Sequence, residues 1–221
     1  MAVKAVLEGV VDITYPATQV IRQRTPPEAP VSFEGFLDWC DEDTCAEWVQ
    51  GEVLVMSPAS DRHQDICDFL TSVVRIFVEV KGLGWVRSAP FVMRLGEGVS
   101  GREPDLAFVA SAHLGRLRET YLDGPADLVV EVVSEESIGR DRGEKYAEYE
   151  QAGIPEYWLI DPIRRQAEFC RMGGDGHYRL VTPEGGLYRS EALPDFWLRV
   201  EWFWRAPLPR VLDVVRELKV L

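Results

Sequence analysis

Apolar positions along the chain fall into two rhythms, one of helices and one of strands. From His63 onward, Ile66, Phe69, Leu70, Val73, Val74 and Phe77 recur at helical spacing, which predicts a helix of about four turns with its stripe on a sheet. Ser32 can cap a shorter helix whose apolar face holds Phe33, Phe36, Leu37 and Trp39. Residues 138 to 152 are helix-permissive and stop at Gly153, with Pro155 just beyond; residues 208 to 221 close the chain as another helix. Strand patterns occupy Cys45 to Ser57, broken at Gln50-Gly51 so that Glu52 opens a second strand, then Trp85 to Leu95, Asp105 to Val109, Asp127 to Val133 and Glu156 to Asp161. Gln166 to Arg171 and His177 to Val181 flank the glycine-rich run Gly173-Gly174-Asp175-Gly176 as a hairpin. This order predicts an α/β fold, a mixed central β-sheet flanked by helices.

Length and composition narrow the picture. The chain has 221 residues, 46% of them hydrophobic and 28% charged, which suits one globular domain over residues 31–221. Residues 1–30 read as an N-terminal arm and proline-rich linker, because Pro26, Pro27 and Pro30 prevent helix and ladder bonding. No apolar run approaches the ~20 residues of a membrane span, and no secretory signal opens the chain, so a cytoplasmic protein without a membrane partner is expected. Four cysteines without metal-binding spacing read as free, buried thiols. The net charge of -13 disfavours a phosphate backbone in bulk, although the local potential of a cleft governs encounter more than the total does.

The chemistry begins at Leu128-Val129-Val130-Glu131-Val132-Val133, the run expected of a strand buried on both faces. Glu131 interrupts it, and a buried carboxylate costs several kcal/mol unless it is paired, protonated or bound to a cation. A structural ion pair with an arginine is one reading. Asp105, after Pro104 at the start of another strand, offers a second; two strand-borne carboxylates can converge, and a hard divalent cation relieves their repulsion. Lys145 lies on the following helix and is one of only four lysines among 24 basic residues. Its ammonium can orient or deprotonate a water in a way a guanidinium cannot. Asp141, Lys145 and Tyr149 share one face of that helix by i, i+4 spacing.

Glu103-Pro104-Asp105, the stretch from Gly124 to Ser134, Asp141, Lys145, Tyr149 and the stretch from Gly153 to Asp161 together resemble the bacterial Uma-two-like family of endonucleases. Upstream, Glu47-Trp48, Gly51-Glu52, Met56-Ser57-Pro58 and His63 add to the likeness. The resemblance implies a restriction-endonuclease-like core of the PD-(D/E)XK superfamily, in which Asp105, Glu131 and the main-chain carbonyl of Val132 ligate Mg²⁺, with Mn²⁺ able to substitute. Glu52 resembles a further acidic residue near the site, a candidate for catalysis and for a metal or its water. His63 resembles the family's histidine, although a capping or surface role is the simpler reading. Superfamily members place a lysine two residues after the glutamate; here that position is Val133, so Lys145 would have to supply the ammonium from the helix.

The function expected is Mg²⁺-dependent hydrolysis of nucleic-acid phosphodiesters, DNA foremost, by Asp105, Glu131, Lys145 and Glu52. A homodimer would suit the cutting of two strands. Arg62, Arg87, Arg94, Arg102, Arg140 and Arg142 could form a basic rim. Two alternatives stand beside this reading, a catalytically inactive binding or scaffold protein on the same fold and a hydrolase of a small phosphodiester.

Overall fold

The computed structural model describes residues 25–41, 44–134 and 137–221. Numbered in chain order, its strands are β1 (Ala46–Val49), β2 (Glu52–Val55), β3 (Gly84–Ser88), β4 (Val92–Arg94), β5 (Ser100–Arg102), β6 (Leu106–Ala110) and β7 (Tyr121–Asp123). There follow β8 (Leu128–Val132), β9 (Glu156–Asp161), β10 (Gln166–Met172), β11 (Tyr178–Leu180), β12 (Leu187–Arg189) and β13 (Trp197–Arg199). Four α-helices accompany them among the described residues: α1 (Phe33–Trp39), α2 (Asp61–Lys81), α3 (Lys145–Gln151) and α4 (Val211–Glu217).

The central sheet has six strands in the order β11-β10-β9-β8-β6-β3, and a five-stranded sheet runs β2-β1-β5-β4-β7. The central sheet is mixed, because β8 and β9 are parallel while β6 joins β8 and β3 antiparallel. Alternation along its strands supplies two apolar faces. Val86, Leu106, Phe108, Leu128, Val130 and Trp158 meet α2 and α4 on one side. Ala107, Val109, Val129, Tyr157 and Leu159 meet Tyr149 and Ile154 on the other. The chain is therefore an α/β protein with mixed sheets flanked by helices, as its periodicity predicts.

Local chemistry explains the boundaries. Ser60 Oγ accepts from the His63 backbone N–H at the start of α2, and Gly82, at φ 64°, closes it. Gln50 and Gly51, at φ 49° and 94°, make the two-residue turn between β1 and β2. The run predicted as one strand from Trp85 to Leu95 is two strands in different sheets. Pro90 has no N–H to donate, so the ladder ends at Ser88 and the chain crosses to the smaller sheet. Strand β5, Ser-Gly-Arg, carries no apolar alternation to read, and its Gly101 is required by packing, since a Cβ there would lie 2.7 Å from Phe33 Cε2.

The helix predicted over residues 138 to 152 opens with a π-helical turn, Arg140–Glu144, before α3, and the closing helix is confined to α4. Most of the N-terminal arm expected over residues 1–30 lies outside the described residues, which begin at 25. Among the cysteines only Cys170 is buried, which corrects the expectation of buried thiols throughout. No helix among the described residues is long and apolar enough to cross a membrane.

Glu156 anchors the C-terminal part to the central sheet. Its buried carboxylate accepts from Trp158 Nε1 (2.6 Å), Tyr188 OH (2.7 Å) and the backbone N–H groups of Glu191 and Ala192 (both 2.8 Å). Glu156→Ala leaves these donors buried and unpaired, and should destabilise the fold by about 3 kcal/mol or more in urea denaturation, with Glu156→Gln costing less. Equal stability of Glu156→Ala and wild type would remove the anchor.

Candidate active site

Register brings the two carboxylates together. Ala107 pairs with Val129 and Leu106 with Val130, so the antiparallel β6–β8 ladder, extended one step, sets Asp105 opposite Glu131 at the sheet's end. Asp105 Oδ2 accepts from the Val132 N–H at 2.7 Å, which fixes it beside the Glu131 strand, and its side chain keeps 19% exposure. Glu131 is buried, and its Oε1 accepts from Tyr149 OH at 2.6 Å and from Lys145 Nζ at 3.0 Å. Lys145 Nζ also lies 2.9 Å from Glu47 Oε1 and 3.6 Å from Asp141 Oδ1. The helical spacing of Asp141, Lys145 and Tyr149 thus turns inward onto the strand, and the partner of Glu131 is a lysine rather than an arginine.

Glu47 is the acidic residue from the β1–β2 hairpin that faces Lys145. Glu52 shares its sheet face, through the pairing of Val49 with Glu52, but is exposed at the hairpin's end. No hydrogen bond or ion pair joins Glu52 to the cluster among the described residues. The fully buried Arg102 holds Glu47 from the other side, donating from Nη1 to Glu47 Oε2 at 2.9 Å and from Nε and Nη2 to the two oxygens of Glu148 at 2.7 and 2.8 Å. Glu103 completes this wall, with its N–H on Glu47 Oε1 and the Cys45 thiol on its own Oε2 at 2.9 Å. Alternation offered one signal for Glu47, a carboxylate flanked by the buried Ala46 and Trp48; nothing in Ser-Gly-Arg marked Arg102.

His63 turns its ring into the site while its backbone N–H serves the helix cap. Nε2 lies 3.4 Å from Asp105 Oδ2, and Nδ1 lies 3.5 Å from Cys67 Sγ. Ligand atoms of His63, Cys67 and Asp105 all fall within 4.8 Å of one another.

The expected basic rim does not form as a unit. Arg62 donates to the Phe203 and Arg205 carbonyls, Arg94 pairs with Glu34, Arg102 is interior, and Arg142 is held by Asp161 and Glu168. Arg140 is half-buried and its Nε has no hydrogen-bond partner among the described residues.

A family model described as "Putative restriction endonuclease" (Uma2) matches residues 33–201. The chain belongs to the Uma2 family. Among solved structures, it is similar to a crystal structure titled as a "putative nuclease belonging to DUF820" from Anabaena variabilis, at a TM-score of 0.65 and 14% identity, over 79% of this chain and 98% of that one. At that identity the likeness speaks for the fold. No curated protein matches the chain.

Electrostatics in this Uma2 chain set an excess of acid in a dry place. Burial pushes the Glu131 carboxyl well above its usual range, against the pull of Lys145 and with the push of Asp141, Asp105 and Glu47. Asp141 is raised for the same first reason, burial, and its Oδ1 is a buried acceptor without a hydrogen bond among the described residues. Burial alone would lower Lys145, but Glu131, Glu47 and Asp141 hold it above the ordinary lysine range, so it stays an ammonium. His63 is likewise held up against burial by Asp105 and the Val132 carbonyl. An acidic oxygen without a hydrogen bond among the described residues, two carboxylates in register and the neighbouring Val132 carbonyl make a donor set that fits a hard divalent cation.

Burial also raises Glu103 from 4.5 to about 7. Its folded-state value exceeds its unfolded one, so its contribution to stability is complete below pH 4.5 and is lost as pH rises through about 7. With a chelator present, wild type should therefore lose on the order of 3 kcal/mol relative to Glu103→Gln across that window, measured by urea denaturation at successive pH values. A constant difference between the two proteins would show that Glu103 titrates normally.

Proposed function

We propose that this chain is a divalent-metal-dependent endonuclease that hydrolyses phosphodiester bonds of nucleic acid, DNA in the first place. The observation that carries the reading is the Lys145 ammonium at 3.0 Å from Glu131, on the strand position opposite Asp105. Superfamily architecture asks for an ammonium beside that carboxylate; Val133 cannot provide it and α3 does. This contact weighs against the inactive-scaffold reading, because Val133 does not leave the carboxylates without an ammonium.

Asp105, Glu131 and the Val132 carbonyl would hold Mg²⁺ or Mn²⁺, which supplies Lewis-acid polarisation of a phosphoryl oxygen and acidifies bound water. The protein's own groups do the remainder. Lys145, fixed by Glu47, Glu131 and Asp141, donates hydrogen bonds toward the attacking water and offers positive charge where the transition state gathers negative charge. With its pKa raised, it orients and stabilises rather than removing a proton. Tyr149 OH holds the Glu131 carboxylate in its rotamer from the other side. Asp105, the more exposed carboxylate, stands where solvent and substrate reach the pair. Glu47 takes the place in this scheme first expected of Glu52. A homodimer presenting two such sites would cut both strands of a duplex.

Plasmid nicking with Mg²⁺ or Mn²⁺ tests the proposal. Asp105→Asn and Glu131→Gln should abolish nicking and Mn²⁺ binding in calorimetry, whereas Lys145→Ala, if folded by circular dichroism, should retain Mn²⁺ binding and lose at least about 100-fold in rate. Nicking without metal, or variants as active as wild type, would sink the assignment.

A further inference from the structure

The edge of the central sheet nearest Asp105 carries basic and aromatic groups that the proposed chemistry does not use. Strand β3 is terminal in the sheet, and its Trp85 is 50% exposed. Arg87 lies over that ring, its Cζ 4.6 Å from the Trp85 centroid and 5.6 Å from that of Phe91. From α2, Arg75 reaches the same place; Arg75 Nη2 and Arg87 Nη1 both donate to the outward carbonyl of Val86, at 3.4 and 3.1 Å. A cleft of about 260 Å³ opens between them.

Three features separate this patch from an ordinary surface. First, neither guanidinium has a carboxylate within ion-pair distance among the described residues, although the chain carries a net charge of -13. Partial burial, with repulsion from Arg75, holds Arg87 below its usual pKa, and Glu79, which lines the same cleft, ion-pairs with neither arginine among the described residues. Second, each spends one donor on Val86 and leaves most of its planar fork free, the geometry that suits phosphate oxygens. Third, the two strand residues of the patch face the reaction centre, while Arg75 reaches the edge from the α2 side. Arg87 is in register with Ala107, and Ala107 with Val129, so Trp85 and Arg87 share the sheet face of Asp105 and Glu131; Ala89, two residues on, donates its N–H to the Asp105 carbonyl at 3.4 Å.

We propose that Trp85, Arg87 and Arg75 form a landing surface for single-stranded nucleic acid, with phosphates on the guanidiniums and an unpaired base on the open face of Trp85. The direction in which the strand is fed rests on the endonuclease reading; the binding itself does not. A stacking face and an arginine fork are what sequence-tolerant single-strand binders combine. A duplex offers no unpaired base to the Trp85 face. A second copy of the chain is the less fitting occupant, because pairing β3 with β3 about a two-fold axis would bring the same uncompensated arginines together.

The test is anisotropy of a labelled single-stranded oligonucleotide, DNA in one arm and RNA in the other, titrated with the full chain in EDTA. Trp85→Ala should weaken binding about tenfold in both arms. Arg75→Ala/Arg87→Ala should flatten the log–log salt dependence by about 1.4. A blunt duplex should bind less tightly than the single strand. These residues are exposed or half-buried, and matching thermal melts would confirm that the variants fold. Three results overturn the proposal: no binding by wild type, variants that bind like wild type, or a Trp85→Ala change confined to oligomeric state in sedimentation. Binding is read in EDTA and nicking separately with Mg²⁺ or Mn²⁺, so the two readings fail independently: binding through Trp85 with no metal-dependent nicking would reject the endonuclease reading and leave this one standing, and metal-dependent nicking with Trp85→Ala binding like wild type would do the reverse.

Discussion

A buried ammonium between two buried carboxylates is the constraint on which the site is built. Lys145 Nζ meets Glu47 from the smaller sheet and Glu131 from the central sheet, so one side chain of α3 joins both layers. Removing one partner from such a group leaves an uncompensated interior charge, typically a loss of about 3–5 kcal/mol. Helix α3 is consequently fixed in rotation as well as position. Tyr149, one turn later, can reach the same oxygen of Glu131 only because Lys145 already faces it.

Arg102 extends the constraint in a second direction. Its fork takes Glu148 of α3 with two nitrogens and Glu47 of β1 with the third, so Glu47 is shared between two cations, one on each carboxylate oxygen. This division leaves Glu131 and Asp141 with less positive charge than their burial demands, which is why both are displaced toward protonation. A fold seeking stability alone would replace such a cluster with apolar packing. Retained acid in excess of available cations is the arrangement expected where an external cation completes the balance.

The sequence made legible whatever contradicts its own surroundings. Glu131 stood out because it breaks an otherwise apolar run, and Lys145 because arginine is the chain's habitual base. The hairpin at Gln50-Gly51 followed from turn chemistry, and α2 from its stripe. Glu47 was harder, since a single acid in a short hairpin strand is ordinary until the opposite wall is known; Glu52, two pleats away on the same face, carried the same local signal. Arg102 and Glu156 were hidden for a further reason. Apart from Trp158 beside Glu156, their partners lie more than 30 positions away in sequence, so only the assembled sheets show that each is satisfied. The split of Trp85–Leu95 between two sheets turned on Pro90, whose effect on a ladder is local while the destination of the chain beyond it is not.

Net charge misleads in this molecule because its cations are not interchangeable. Arg94, Arg102, Arg142 and Arg171 are all spent on carboxylates of the fold, and Arg62 on main-chain oxygens, so these bases add little to the field a ligand meets. The acid is divided too: part is neutralised in those pairs, and part is concentrated behind Asp105. Phosphate approaching that concentrated acid is repelled until a cation offsets it, whereas phosphate approaching β3 meets guanidiniums that lack carboxylate partners among the described residues. The two regions share a sheet face, which makes their order matter. A strand held first at the edge would be kept close while the carboxylate pair acquires its cation, and a total of -13 is compatible with that sequence of events because the repulsive and attractive charges occupy different places.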